Sequence, residues 1–170
     1  MTSITANTPS DIYLCPLCKG ALLLESNSYR CQQNHCFDLA KEGYVNLLPV
    51  QHKHSKDPGD NKMMVRARRN FLEQGFYQRL VDVIVELYKN YGDDSCVFDA
   101  GCGEGFYTHQ HKSEHNQVYG IDIAKEAIKI AAKKYKTCHF SVGTLANLPF
   151  SDNSFNWLYS IYAPILEQEF

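Results

Sequence analysis

The sequence lacks the features that mark several specialised classes of protein. Its 170 residues contain no apolar run near the roughly 20 residues of a membrane-spanning helix. The first ten residues are polar and lack the apolar centre of a signal peptide. The net charge is only −2 at pH 7, so no global excess of positive charge indicates affinity for nucleic acid. We therefore expect no membrane partner and a cytoplasmic location, with any basic surface confined to one region.

The seven cysteines do not form a disulfide framework, because their number is odd and four of them fall within the first 36 residues. Cys15 and Cys18 form a CxxC pair, Cys31 follows after about a dozen residues, and His35 comes one turn later. This spacing is typical of a zinc ribbon, whose four ligands leave no position for a catalytic water. The adjacent Cys36 could replace His35, and reduced cysteines without metal are the remaining alternative.

The intervening residues predict a β-hairpin with a turn at Asn27 and Ser28, between apolar arms. Because a structural metal lets such a module form with little core, we expect it to fold independently of the rest.

A basic segment follows the cysteine-rich region. Between Lys53 and Arg79, seven basic residues stand against three acidic ones. The segment is either a solvated helix face or a strip that contacts RNA phosphates. The candidate RNA-binding residues are Lys53, Lys56, Arg66, Arg68 and Arg69.

The remaining periodicity predicts alternating helices and strands, which is an α/β pattern. Helices are expected at 78–91 and 125–135, and strands at 96–98, 118–121, 139–142 and 155–161. In the first helix the apolar stripe would be Leu80, Ile84, Leu87 and Tyr91, and in the second the inward residues would be Ile128, Ala131 and Ala132. His109, His111 and His115 are interpreted as solvated side chains of an exposed helix.

A glycine-rich turn, DAGCGEG, follows the first of these strands. Gly101, Gly103 and Gly105 allow the backbone to bend closely beneath a ligand, and Asp99 precedes them at the strand end. Asp122 ends the next strand, where a carboxylate can accept both ribose hydroxyls of a nucleoside. Thr144 and Leu145 follow the third strand and are expected near the adenine. A dinucleotide fingerprint would read GxGxxG, whereas the order here is D-x-G-x-G-x-G.

This tighter glycine motif resembles that of class I methyltransferases that bind S-adenosylmethionine. The segments CPLC, NSYRC, FDLAKEGYVNLLPVQHK, DPGD, ARRNFLEQGFY, DAGCGEGFYTH and IYAP, in this order, resemble the 23S rRNA (guanine-N1-)-methyltransferases from about residue 14 to residue 164. The resemblance implies methyl transfer to N1 of a guanine in 23S ribosomal RNA, with S-adenosyl-L-methionine as cofactor and a structural Zn²⁺ ion. It also implies that the zinc module aids RNA recognition.

The resemblance assigns further residues. Cys15, Cys18, Cys31 and His35 would bind zinc, Tyr77 would pack over the cofactor, and Tyr107 and Thr108 would contact it from the glycine loop. From the residues alone, a core position is the preferred interpretation of Tyr77. No Asp or Asn leads the IYAP segment, where related nitrogen methyltransferases commonly present one, so no catalytic base is assigned.

The expected organisation has four parts: a flexible N-terminus at 1–13, a zinc-binding module at 14–50, a basic linker and helix at 51–76, and a Rossmann-like cofactor domain at 77–170. Too few residues follow the fourth strand to complete a seven-stranded class I sheet, so we expect a C-terminally truncated chain whose activity is in doubt. Its exposed sheet edge could pair with a second copy to give a homodimer. Two alternatives are a small-molecule methyltransferase with a structural zinc lobe and a noncatalytic zinc- and RNA-binding fragment.

Overall fold

The chain forms two β-sheets of different kinds, as seen in a computed structural model that describes residues 12–50, 59–89 and 95–169. A three-stranded antiparallel sheet lies in the N-terminal part, and a five-stranded parallel sheet with helices forms the remainder. Within the described ranges, none of the helices has the length and apolar character needed to cross a membrane. The predicted α/β class with an N-terminal β module is confirmed.

The small sheet contains β1 (Leu23–Glu25), β2 (Ser28–Arg30) and β3 (Cys36–Asp38). The predicted hairpin is present, but its turn lies one residue earlier than expected. Ser26 adopts a positive φ of 56°, and Ser28 already pairs with Glu25. The turn therefore consists of Ser26 and Asn27.

The large sheet has the strand order β4-β7-β6-β5-β8, and all of its strands are parallel. The strands are β4 (Tyr44–Asn46), β5 (Cys96–Ala100), β6 (Gln117–Asp122), β7 (His139–Val142) and β8 (Trp157–Tyr159). β7 has the predicted bounds, β5 is two residues longer than predicted, and β8 is shorter. β4 belongs to the segment predicted as the zinc-binding module, yet it forms an edge strand of this sheet.

Among the described residues, three α-helices accompany the large sheet: α1 (Lys62–Glu73), α2 (Gln78–Lys89) and α3 (Lys125–Lys134). Asn61 caps α1, because its side-chain oxygen accepts from the backbone N–H groups of Met63 and Met64. The predicted inward face of α3 is confirmed, with Ile128, Ala131 and Ala132 buried.

The predicted buried face of α2 is only partly correct, because Leu80 and Ile84 are partly buried. Val81 and Tyr88 are buried, whereas Leu87 is half exposed and Tyr91 lies outside the described residues. The Tyr88 hydroxyl lies 2.7 Å from Ser95 Oγ and accepts a hydrogen bond from Asn116 Nδ2 at 2.8 Å. A tyrosine whose polar end is satisfied inside the protein can replace an apolar residue at the core, and this tertiary contact sets the rotation of the helix.

The N-terminal β module and the large sheet share one hydrophobic core. Tyr13 is 2% exposed, and its ring contacts those of Tyr29, Tyr119 and Phe150 with centroids 5.2, 6.0 and 5.3 Å away. Backbone hydrogen bonds also join the two parts, from Leu14 N to Pro149 O and from Ser151 N to Ile12 O. The N-terminal module is therefore not packed as an independent unit, contrary to the expectation that it folds separately.

Candidate functional site

Three thiols and one imidazole converge at the start of the chain. The ligand atoms of Cys15, Cys18, Cys31 and His35 all lie within 4.8 Å of one another. His35 Nδ1 is 3.4 Å from both Cys15 Sγ and Cys31 Sγ, and the Sγ atoms of Cys18 and Cys31 are 3.6 Å apart. Soft thiolates with one imidazole at these separations fit a tetrahedral Zn²⁺ ion with no open position.

Two tight backbone turns produce this convergence. Lys19 and Asn34, which have positive φ values of 59° and 63°, end the turns that follow Cys15 and Cys31. The N–H of Lys19 donates to the carbonyl of Cys15, and the N–H of Asn34 donates to that of Cys31. Each turn therefore brings two ligands of the cluster together.

The geometry distinguishes His35 from Cys36 as the fourth candidate ligand. Cys36 is exposed on β3, and its Sγ faces Asp38 Oδ1 at 3.8 Å. Cys36 thus lies outside the cluster.

The glycine loop begins where β5 ends. Gly101, Gly103 and Gly105 all have positive φ, at 80°, 55° and 79°. A Cβ added at Gly101 would come within 2.3 Å of the Ala163 Cβ, so no larger residue fits there without displacing that segment. The N–H groups of Gly101 and Cys102 both donate to the carbonyl of Ile121 on β6.

Asp122 ends β6 beside this loop. Its Oδ2 accepts from the N–H of Gly103 at 2.8 Å, and its Oδ1 accepts from the N–H of Ala124 at 2.7 Å. Burial raises its pKa above the ordinary value, although the two backbone donors oppose that shift. Each carboxylate oxygen has further lone pairs, so Asp122 can still accept hydrogen bonds from a ligand.

Two adjoining cavities of about 210 and 200 Å³ surround the loop. Both are lined by Gly101, Gly103, Glu104, Arg68, Ile161 and Tyr162. The first is largely aromatic, and its other lining residues are Phe71, Leu72, Tyr77, Cys102, Phe106 and Tyr107. The second includes the carboxylates of Asp60 and Asp122. An apolar compartment next to an acidic one suits a ligand with both apolar and cationic or hydroxyl-bearing groups.

The structure brings together only part of the predicted cofactor set. Tyr77, Gly101, Gly103, Tyr107 and Asp122 line the cavities. The ring of Tyr77 contacts those of Phe71 and Tyr162, with centroids 5.6 and 5.9 Å away. Burial raises the pKa of Tyr107 to about 12, and its buried hydroxyl has no hydrogen-bond partner among the described residues.

The other predicted cofactor residues do not line these two cavities. Gly105 packs against the ring of Phe140, where an added Cβ would approach to 2.9 Å. Leu145 Cδ1 lies 3.8 Å from the position that a Cβ at Gly101 would take, and Thr144 Oγ1 accepts from the N–H of Ala146. Thr144 and Leu145 line neither of the two cavities.

Asp99 and Thr108 form a buried pair beneath the glycine loop. They are 2% and 0% exposed, and Thr108 Oγ1 donates to Asp99 Oδ2 at 2.6 Å. Burial raises the pKa of Asp99 from 3.8 to about 7, against the lowering effect of the Thr108 hydroxyl. Neither residue lines the cavities, and their hydrogen bond joins β5 to the segment that follows the loop.

Glu104, which lines both cavities, was missed by the sequence analysis. It occupies the variable position between Gly103 and Gly105, so the glycine pattern gave no signal for its side chain. Tyr162 was also missed, because it belongs to the IYAP segment and no periodicity places that segment against the loop.

The histidine interpretation is only partly correct. His115 is exposed, but His111 is 4% exposed and its ring stacks on Tyr159 with centroids 4.6 Å apart. His109 is partly buried and stacks on Tyr135 at 3.9 Å. The predicted exposed helix is a short 3₁₀ turn, Thr108–His111, that packs against the sheet.

The candidate RNA-binding residues differ in their surroundings. Lys53 and Lys56 lie outside the described residues. Arg66 is exposed, Arg68 pairs with Asp60 at 2.9 Å, and Arg69 pairs with Glu73 at 2.9 Å. Part of the positive charge of this strip is therefore balanced within the protein.

Comparison with known proteins agrees with both the cysteine–histidine cluster and the glycine-loop pocket. Residues 13–56 match the zinc-ribbon family described as "RlmA, N-terminal", and residues 97–169 match the family described as "Methyltransferase domain". The chain joins an RlmA-type zinc ribbon to a class I methyltransferase domain. The ribbon match agrees with the predicted ligand cluster, and the methyltransferase match confirms the predicted S-adenosylmethionine-dependent type of fold.

Two curated relatives carry the same combination over most of this chain. The 23S rRNA (guanine(748)-N(1))-methyltransferase of Streptomyces fradiae is 30% identical over 88% of the chain and 55% of its own length. YxjB of Bacillus subtilis, named provisionally as a 23S rRNA (guanine-N(1)-)-methyltransferase, is 31% identical over 94% of the chain and 59% of its own length. The chain is therefore homologous to these guanine-N1-methyltransferases, and it spans only a little over half of their length.

A solved structure shows the same fold. A Methanococcus maripaludis protein, described provisionally as an S-adenosyl-L-methionine-dependent methyltransferase, superposes with a TM-score of 0.51 at 18% identity. The superposition covers 64% of this chain and 55% of that protein.

The first prediction concerns the metal ligands. Purified chain should contain about one zinc ion, Cys36→Ser should retain it, and His35→Ala should lose most of it. Because the ribbon and the large sheet share a core, chelation should lower the free energy of unfolding of both parts together. Metal analysis and chemical denaturation followed by tryptophan fluorescence measure the two effects. Loss of zinc from Cys36→Ser, with retention in His35→Ala, would show that Cys36 and not His35 is the fourth ligand.

The second prediction concerns the buried carboxyl of Asp99. A folded-state pKa above the unfolded one makes folding most favourable below about pH 4, and this advantage disappears as the pH rises through about 7. Asp99→Asn keeps an acceptor for Thr108 without the charge, so it should lack this pH-dependent loss. Between low and neutral pH, the wild type should therefore lose up to about 4 kcal/mol more of its free energy of unfolding than Asp99→Asn, at about 1.4 kcal/mol per pKa unit.

Denaturant unfolding between pH 4 and 8 measures this difference. Asp152→Asn, which alters an exposed carboxylate, is the matched control. Parallel stability profiles for the wild type and Asp99→Asn would contradict the prediction.

Proposed function

We propose that this protein transfers a methyl group from S-adenosyl-L-methionine to N1 of a guanine in 23S ribosomal RNA. The observation that carries the proposal is the packing of an RlmA-type ribbon onto the same core as a methyltransferase pocket. A ribbon that shares a core with the pocket has a fixed orientation relative to it, so RNA bound by the ribbon would be presented to the pocket in one direction. A cytoplasmic location accords with this substrate.

The lining residues suit the cofactor. Asp122 provides a carboxylate for ribose hydroxyls, and Gly101 and Gly103 allow close approach of a ligand to the backbone. Tyr77 and Tyr107 provide aromatic surface, which attracts cations such as a sulfonium. When bound, S-adenosylmethionine supplies an electrophilic methyl group, and the residues of the chain bind and orient it.

The chemistry depends mainly on positioning. The target guanine must leave its base pair, and its N1 proton must be accepted during or after transfer. Tyr162 and Ile161 line both cavities, which supports the segment after β8 as the entrance for an extruded base. No residue is assigned as the base.

Because Arg68 and Arg69 form ion pairs within the protein, less positive charge is available to bind RNA. This observation favours the alternative of a small-molecule methyltransferase with a structural zinc ribbon. Malonyl-[acyl-carrier protein] O-methyltransferase of Erwinia billingiae is also similar, at 28% identity over 56% of this chain. That similarity leaves 44% of the chain without a counterpart, whereas the guanine-N1-methyltransferases match the ribbon as well.

A homodimer forms a further part of the proposal. β8 pairs only with β5 among the described strands, and Leu158 on it is 39% exposed. An open edge of this kind can pair with a second copy. Sedimentation velocity across a concentration series distinguishes a dimer from a monomer.

The third prediction tests cofactor binding. Asp122→Ala should weaken S-adenosylmethionine binding by about 1.5–3 kcal/mol, the range for losing a hydrogen bond to a charged group. Calorimetric titration measures the change, with Asp152→Ala as an exposed carboxylate control and zinc content as a check on folding. Tight binding of NAD by the wild type without binding of S-adenosylmethionine would exclude the methyltransferase assignment.

The fourth prediction tests the substrate. The chain, incubated with protein-free 23S rRNA and S-adenosylmethionine, should give N1-methylguanine, which blocks reverse transcription because the methyl group occupies the pairing edge. Arg66→Ala should weaken RNA binding to a similar extent for all RNA sequences. It should also reduce the number of counterions released on binding, as read from the salt dependence of the affinity, by about one. Cofactor binding without methylation of RNA would favour the small-molecule alternative. RNA binding without cofactor binding would favour the noncatalytic module.

A further inference from the structure

Glu104 is a buried carboxylate in the lining shared by the two cavities, and one of its oxygens has no hydrogen-bond partner among the described residues. It is 7% exposed and lines both cavities. Its Oε2 makes no hydrogen bond to any described residue. A buried carboxylate in this situation costs free energy unless a ligand completes its interactions, so the position indicates contact with a bound group.

The nearby cations are paired with other carboxylates. Arg69 Nε and Lys134 Nζ both bond to Glu73 Oε1, at 2.9 and 3.0 Å. They act on Glu104 only through space, and burial raises the pKa of Glu104 despite their charge. Within the described part of the chain, Glu104 therefore lacks a cation in direct contact.

The chemistry of the cofactor identifies the group that Glu104 can bind. S-adenosylmethionine carries two positive centres, a sulfonium without N–H groups and an α-ammonium with three. A carboxylate gains most from a donor that is also cationic. The adjoining aromatic rings of Tyr77, Phe106 and Tyr107 suit the sulfonium, and Asp122 suits the ribose. The remaining carboxylate of the cavities, Asp60, is paired with Arg68, which leaves the ammonium for Glu104.

We propose that the Glu104 carboxylate accepts a hydrogen bond from the α-ammonium of the cofactor's amino-acid part. This inference rests on the proposed function, because it takes the pocket to be the S-adenosylmethionine site. Glu104 is then a specificity residue that distinguishes ligands with the amino-acid part from nucleosides without it.

The experiment compares two ligands that differ in that part. S-adenosylhomocysteine has the α-ammonium, whereas 5′-methylthioadenosine lacks the whole amino-acid group. Calorimetry on the 170-residue chain with Glu104→Gln should show S-adenosylhomocysteine affinity reduced about 10- to 100-fold. The affinity for methylthioadenosine should change less than about twofold, because that ligand has no group for Glu104 to bind. Glu86→Gln, an exposed position on α2, is the matched control and should change neither affinity.

Several results would overturn the assignment. Unchanged affinity of Glu104→Gln for S-adenosylhomocysteine would show that Glu104 does not bind the α-ammonium. An equal loss of affinity for both ligands would show that Glu104 instead maintains the shape of the loop. If Glu104→Gln does not fold, Glu104→Asp keeps the charge on a shorter side chain and should selectively weaken S-adenosylhomocysteine. Failure of the wild type to bind either ligand would overturn the proposed function itself, whereas the first two results would leave that function intact.

Discussion

The parallel pairing of β5 with β6 is the constraint on which the pocket depends. Ala100 lies opposite Ile121 in register, so the two strands end side by side. Three successive N–H groups of the glycine loop, at positions 101 to 103, then donate to the end of β6. The shape of the loop is therefore set by the neighbouring strand before any ligand binds. A site that is already formed loses less conformational freedom on binding.

The zinc cluster and the hydrophobic core support each other. Cys15 and Cys31 are buried beside Tyr13 and Tyr29, so the metal-binding turns form one wall of the core that Phe98 and Ile121 complete from the large sheet. β4 then connects the ribbon to the edge of that sheet by pairing with β7. Separate cores would permit relative motion, whereas this arrangement couples the ribbon to the pocket. The ribbon thus continues the core and the edge of the large sheet.

Features that depend on local pattern could be predicted from the sequence. The metal cluster follows from ligand spacing, β7 follows from its apolar residues, and the buried face of α3 follows from helical periodicity. Features that depend on contacts distant in sequence could not. His111 is buried because Tyr159 lies over it, and α2 is rotated because Tyr88 reaches Asn116. Glu104 belongs with these, since only the folded loop shows that its carboxyl faces the cavities.

The charge of the pocket distinguishes between the two nucleotide classes that a glycine loop can bind. A pyrophosphate is usually stabilised by a glycine loop followed by the N-terminus of an α-helix. Here the loop leads into a 3₁₀ turn of four residues, so little helix dipole is available, and the loop itself carries the carboxylate of Glu104. Arg68, which lines both cavities, is paired with Asp60 and is therefore not a free cation for a pyrophosphate. A dianionic pyrophosphate would meet like charges in a partly buried site, whereas a ligand with a sulfonium and an ammonium would neutralise them. The electrostatics of the loop therefore favour the methyl donor over a dinucleotide.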